Sequence, residues 1–184
     1  MSYAERAREA AWHELWVKQE LNLITGWQAE PYGQALLSED MRRALRRCRT
    51  LAGRKAPVRW MPDIIAVRSP EVRFIDAKAG QKWEATGNHD IEADALQAAL
   101  RWSDALSADV WFIFTDGRGV TARRIGLCEY VRPGRFAGNG SGTPFWLLPR
   151  AICAECIRPT PPTPADWAPP VGTAAVRATA QAAA

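Results

Sequence analysis

The chain contains no apolar run near the roughly 18–20 residues needed to cross a bilayer, and its opening residues, MSYAERAREAAW, hold no continuous apolar stretch of the kind that directs secretion. A membrane-spanning or exported protein is not expected. Cysteine is scarce, at four in 184 residues, and without an export signal these are expected to be free thiols in a reducing, cytoplasmic compartment. Cys153 and Cys156 have metal-like spacing, but structural zinc takes four ligands and Cys48 and Cys128 form no second pair, so no zinc site is expected. Histidine is scarcer still, with only His13 and His89. Neither sits in a pattern that singles it out, although Asn88 and His89 fall in a polar loop that can reach a substrate phosphate. What remains is the balance of a globular protein, 47% hydrophobic and 24% charged, of a length for one domain and a tail. The formal charge of +4 permits a polyanionic partner without requiring one.

Ser2 to Ile24 carries no proline or glycine and is rich in helix formers, which predicts one long helix. It has two apolar stripes, Trp12, Leu15, Trp16 and Leu23 on one side and Ala10, Val17, Leu21 and Ile24 on another, so it is expected to pack between layers. Ser38 followed by Glu39 and Asp40 reads as an N-cap for a second helix over 39–51. MPDIIAV and VRFIDA, separated by Ser69 and Pro70, predict a strand hairpin. A polar loop over 80–88 leads to an amphipathic helix over 91–106, then a buried strand, VWFIFT, and a turn at 116–119, with VTARRI as a further strand. Beyond residue 157 the composition is proline and alanine with few large apolar side chains, too little to offset the entropy of ordering. The expected organisation is a domain over 1–157 and a disordered Pro/Ala-rich C-terminal tail over 158–184. The element order implies an α/β (α+β) fold, a mixed β-sheet flanked by helices.

Chemistry concentrates in PDIIAVRSPEVRFIDAK, residues 62–78. Asp63 opens the first strand; Asp76 and Lys78 end the second, two apart and so on one face. Aspartate is depleted in strands, and here it directly follows Phe74 and Ile75. Two neighbouring carboxylates repel unless a cation joins them, and magnesium prefers carboxylate and carbonyl oxygens with retained water. Asp63, Asp76 and the Ala77 carbonyl form such a partial shell, and Lys78 can orient a bound water or neutralise charge developing on a phosphate.

Pro62-Asp63, a twelve-residue spacer and Asp76-Ala77-Lys78, on strand-turn-strand between two helices, resemble the PD-(D/E)xK nuclease superfamily. The resemblance covers about Trp12 to Ile125 in element order and assigns no subfamily among restriction-endonuclease-like and Holliday-junction-resolvase-like members. It implies a restriction-endonuclease-like fold and a magnesium-dependent DNA endonuclease, with manganese as a substitute metal. In that scheme Asp63 and Asp76 hold metal and Lys78 assists the attacking water. It also implies an acidic residue from the first helix: Glu14, on the stripe with Ala10, Val17 and Leu21, is favoured over Glu20 and Glu9. Gln97 lies on the helix where some members carry a glutamine. Such enzymes often pair to cut two strands, so a homodimer is left open, although no self-association signal stands out.

Arg42, Arg43, Arg46 and Arg47, spaced to share a band on the second helix, suit DNA phosphates; a solvated helix face is the alternative. Trp12, Trp16, Trp102 and Trp111 fall at core positions, while Trp60 and Trp83 flank the motif, where stacking on a displaced base is an option. The glycines at 138, 140 and 142 follow no clear strand and read as a connection. Two rival readings remain: a catalytically inactive nuclease-like module that binds DNA or protein, and an arrangement in which Asp76 and Lys78 form only a surface ion pair, worth about 0–1 kcal/mol.

Overall fold

Uninterrupted by proline or glycine, the N-terminal segment forms helix α1, Tyr3–Leu23, in a computed structural model that describes residues 3–50, 53, 55–79, 82–83, 87–131 and 143–161. Asn22 fixes the turn that follows: its amide donates to the carbonyls of Lys18 and Ala29, and its oxygen accepts the Ala29 N–H at 2.9 Å. The chain enters strand β1, Gln28–Pro31. The Ser38 hydroxyl then accepts the Met41 N–H at 3.3 Å and caps helix α2, Glu39–Leu45. This helix is shorter than the expected 39–51. Arg42 with Arg46 and Arg43 with Arg47 set like charges four residues apart, which disfavours further turns, and the chain leaves to bridge Arg49 with Lys55.

The hairpin at the motif is present as β2, Ile64–Arg68, and β3, Glu71–Lys78. A two-residue strand β4, Lys82–Trp83, and β5, Asn88–Glu92, take the place of the expected loop, and helix α3 spans Ala93–Leu106. β6, Val110–Phe114, and β7, Arg118–Thr121, form the next hairpin. Residues 122–127 form a 3-10 turn, not a continued strand. β8, Glu129–Val131, β9, Phe145–Leu148, and β10, Ala154–Glu155, follow. One sheet has six strands in the order β1-β2-β3-β6-β7-β10. Its β3–β6 pair is parallel, because the chain crosses between them through α3, and its other pairs are antiparallel. A second, antiparallel sheet, β4-β5-β9-β8, was not foreseen. The fold is therefore α/β, a mixed sheet flanked by helices, as the sequence implied. Among the described residues no helix is long and apolar enough to cross a membrane.

The alternation of side chains along β3 divides the molecule. Phe74 joins Val110, Phe112 and Phe114 under Leu96 and Ala99 of α3. Ile75 joins Ile64, Ala66 and Ile113 under Val17 and Leu21 of α1. The buried stripe of α1 mixes the two expected ones and is partly polar: His13, Trp16, Val17, Glu20 and Leu21 are buried, while Leu15, Leu23 and Ile24 are exposed. Cys153 lies in the α3-side core and Cys156 packs on the α1-side cluster, so the pair points to opposite faces. All four cysteines are free. Burial, aided by Asp116 and Cys128, pushes the Cys153 thiol up to about 11.

The polar members of that stripe hold the C-terminal segment. Glu20 binds the Arg158 guanidinium at 2.7 and 2.8 Å, and the Trp16 and Trp12 indoles donate to the carbonyls of Arg158 and Pro161. His13 Nε2 lies 2.9 Å from the Ile113 carbonyl and Nδ1 2.7 Å from the Thr160 hydroxyl. A carbonyl only accepts, so Nε2 carries the proton and Nδ1 accepts from Thr160. Residues 158–161, assigned to the tail by composition, are therefore part of the fold: few apolar side chains order them, but α1 supplies hydrogen bonds. Residues 162–184 and the glycines at 138, 140 and 142 lie outside the described residues.

Burial lowers the His13 pKa against the opposing pull of the Ile113 carbonyl and Asp116. Below about pH 6.5 the unfolded chain takes a proton that the folded chain resists, so stability is lost as pH falls through that value. The melting temperature is expected to drop more between pH 7.5 and 5.5 in the wild type than in His13→Gln; equal drops would contradict this account. Gly117 seats the same segment. Its carbonyl accepts the N–H groups of Cys156 and Ile157, its φ is 78°, and a Cβ there would lie 2.2 Å from the Ile157 carbonyl oxygen. Gly117→Ala is expected to cost about 2 kcal/mol or more, a fall of ~4–8 °C in thermal melting.

Candidate active site

Asp63 stands one residue ahead of β2 and is fixed by its backbone, its N–H donating to Ile75 at 2.8 Å and its carbonyl accepting from Tyr32 at 2.7 Å. Its Oδ2 accepts the Ala77 N–H at 3.0 Å. In a strand the N–H and C=O of one residue project to the same flank, so the Ala77 carbonyl is directed to the side where Asp63 stands. Asp76, one residue back, turns to the α3 face in register with Phe112. It is 7% exposed, and its Oδ2 lies 2.8 Å from Lys78 Nζ. With side chains only 19% and 10% exposed, this is not a surface ion pair. Lys78 also lies 5.7 Å from the Phe112 ring centroid.

Glu14 joins the group from α1. It lines a cavity of about 210 Å³ with Asp63, Lys18, Leu15 and Ile64. Burial and the charge of Asp76 raise its pKa, against the pull of Arg42 and Lys78. Burial raises Asp63 well above the usual carboxylate range, with Asp76 and Glu14 adding to it and Lys78 and the Ala77 N–H opposing. Burial alone would lower Lys78, but Asp76, Asp63 and Glu92 outweigh it and hold its pKa above the ordinary value, so the ammonium is charged at neutral pH. The charge of Asp76 acts on Glu14 and Asp63, and that of Glu14 acts on Asp63, with Lys78 opposing at both and Arg42 at Glu14. Mutual repulsion under burial is costly for a purely structural cluster and common where charge is put to use.

The donor set fits a hard divalent cation. Asp63, Asp76 and the Ala77 carbonyl offer the oxygens magnesium favours, with water completing the shell. Among the described residues no group of three or more His, Cys, Asp or Glu side chains is placed to hold a metal ion.

The other expected residues divide. Glu20 is held by Arg158, whereas Glu14 lines a cavity with Asp63. Arg42 is half-buried and acts on Glu14; Arg43, Arg46 and Arg47 are exposed, Arg43 lying 3.8 Å from Asp40. His89 is not in a loop: it is buried on β5, stacked on Phe114 at 3.9 Å and 3.2 Å from Asp116. Trp60 packs against the α3-side core beside Lys55 and Arg59, and the side chain of Trp83 falls outside what is described. Sequence reasoning missed Asp90 and Glu92. Both act on or with Lys78, and the burial of β5, with His89 and Ile91 inward, sends Asn88, Asp90 and Glu92 to the other face. The alternation in NHDIE was the available signal.

No family profile matches the chain, and no curated protein does. Among solved structures it is similar to Hjc, a Holliday junction resolvase from the archaeal hyperthermophile Archaeoglobus fulgidus, at 12% identity and a TM-score of 0.41. The likeness covers 71% of this chain and 85% of that one. At that identity and score no residue role transfers, and the site stands on its own geometry.

Proposed function

We propose that the protein is a divalent-cation-dependent nuclease that hydrolyses DNA phosphodiester bonds at the Glu14, Asp63, Asp76 and Lys78 cluster. The observation that carries this reading is the shielded Asp76–Lys78 pair, 2.8 Å apart at the end of β3, beside Asp63, whose Oδ2 accepts the Ala77 N–H between them. Magnesium, or manganese in its place, held by Asp63, Asp76 and the Ala77 carbonyl, would supply a nucleophilic water and polarise the phosphate. The chain itself contributes position and charge. The Asp63 to Ala77 hydrogen bond aligns the donors, Lys78 offers a cation to developing phosphate charge, and Glu14, its pKa raised by burial and Asp76, is the group to take the proton of the attacking water. Arg42, Arg43, Arg46 and Arg47 supply backbone contacts whose strength falls with salt.

The test is incubation of the wild type and Lys78→Met with plasmid, linear, branched and single-stranded DNA and an RNA control, with and without magnesium or manganese. Metal-dependent cleavage of DNA by the wild type, slowed about 100-fold or more in Lys78→Met, is the expected result. Binding without cleavage under either metal would favour the inactive recognition module.

A further inference from the structure

A second cavity, of about 600 Å³, lies between the segment after α2 and the outer face of α3. Its lining includes Arg49, Lys55, Trp60, Asp94, Gln97 and Arg101. Both walls lead directly to the candidate active site. Trp60 is three residues before Asp63, and Asp94 is two residues after Glu92, whose charge acts on Lys78. Three residues span at most about 11 Å, so the cavity sits on the order of one or two nucleotides from the cluster.

The chemistry of the lining is that of a nucleotide. Arg49, Lys55 and Arg101 set three cations against the single carboxylate of Asp94, which Lys55 already pairs at 2.9 Å. The arginines are therefore the cations in excess, and both are exposed. Trp60 is stacked with cations, Arg59 at 5.0 Å and Lys55 at 5.7 Å from the ring centroid, a surface on which a base can extend the stack. The exposed Gln97 adds an amide that both donates and accepts. The form of the strand follows from the contacts: a base that enters the cavity to meet Trp60 and Gln97 must be unpaired and unstacked, as it is in a single strand.

The geometry points to a subsite for an unpaired nucleotide next to the scissile phosphate, with Arg49 and Arg101 on its phosphate and Trp60 and Gln97 on its base. It rests on the reading of the cluster as a phosphodiester site and narrows the substrate to DNA carrying a single-stranded arm.

The test uses the full chain and the double variant Arg49→Gln/Arg101→Gln, both exposed positions. Fluorescence anisotropy in EDTA measures binding to a labelled blunt duplex and to the same duplex with a short single-stranded flap; cleavage of both with manganese is followed separately. The wild type is expected to prefer the flap about 10-fold, and the double variant to lose most of that preference. Two lost contacts to a single strand should also lower the salt slope on the flapped DNA by about 1.4, leaving the blunt duplex unchanged. No preference in the wild type, or an equal loss on both DNAs, would overturn the subsite. Absence of cleavage on every DNA would overturn the nuclease reading alone, because the flap preference is read without catalysis.

Discussion

Asp76→Asn is expected to abolish metal-dependent DNA cleavage, by about 10³-fold or more, which corresponds to at least ~4 kcal/mol of lost transition-state stabilisation. Asp76 is the group to which the others are referred. It raises Glu14 and Asp63, and it holds Lys78 both as a charge and at 2.8 Å through its Oδ2. Asparagine keeps the shape and an oxygen for Lys78 while removing the charge, and the pairing of β3 with β2 and β6 depends on backbone groups. A folded, inactive protein is therefore the expected outcome. Circular dichroism checks the fold, and the rate is compared at saturating manganese. A variant retaining a tenth or more of wild-type activity would remove Asp76 from the reacting centre.

Asp63→Asn is expected to inactivate the protein and stabilise it. The sign follows from the pKa. The folded chain binds the Asp63 proton more tightly than the unfolded chain, so the carboxyl contributes stability while protonated and this is lost as pH rises through its folded pKa. Burial, Asp76 and Glu14 all oppose the charged form. Asparagine is neutral and its side-chain oxygen can still accept the Ala77 N–H. A gain of about 1–2 kcal/mol corresponds to a rise of ~2–8 °C in melting temperature. Saturating manganese should raise the wild-type melting temperature and leave the variant nearly unmoved, since a ligand stabilises only the state that binds it. A lower melting temperature in Asp63→Asn without metal would mean that the carboxylate serves the fold.

Elements specified by local pattern were legible in the sequence. The absence of breakers gave α1, alternation and turn residues gave the β2–β3 hairpin, and apolar periodicity gave α3. The motif brings Asp76 and Lys78 to one strand end beside Asp63 because a strand pair holds residues in fixed register, whereas the helix stripe used to favour Glu14 is not the one that is buried. What escaped depends on partners far along the chain. His13 and Glu20 belong to the buried stripe of α1 only because Thr160 and Arg158 meet them there. The second sheet pairs β5 with β9, more than fifty residues later, which no local window contains. Asp90 and Glu92 were missed for the same reason: without β5 as a strand, nothing directs them to Lys78. Helix α2 stops at Leu45, where its own arginines repel, so Arg46 and Arg47 lie past its last turn and the expected band of four arginines on one helix is not formed.

The central claim is that Asp63 and Asp76 form a divalent-cation site that serves phosphodiester hydrolysis. The most direct measurement is calorimetric titration of manganese into the full chain and into Asp63→Asn/Asp76→Asn, in the presence of a DNA with a non-hydrolysable backbone linkage. Saturable binding by the wild type that disappears in the double variant is the predicted result. Equal heats from both proteins, or none from either at millimolar metal, would contradict it.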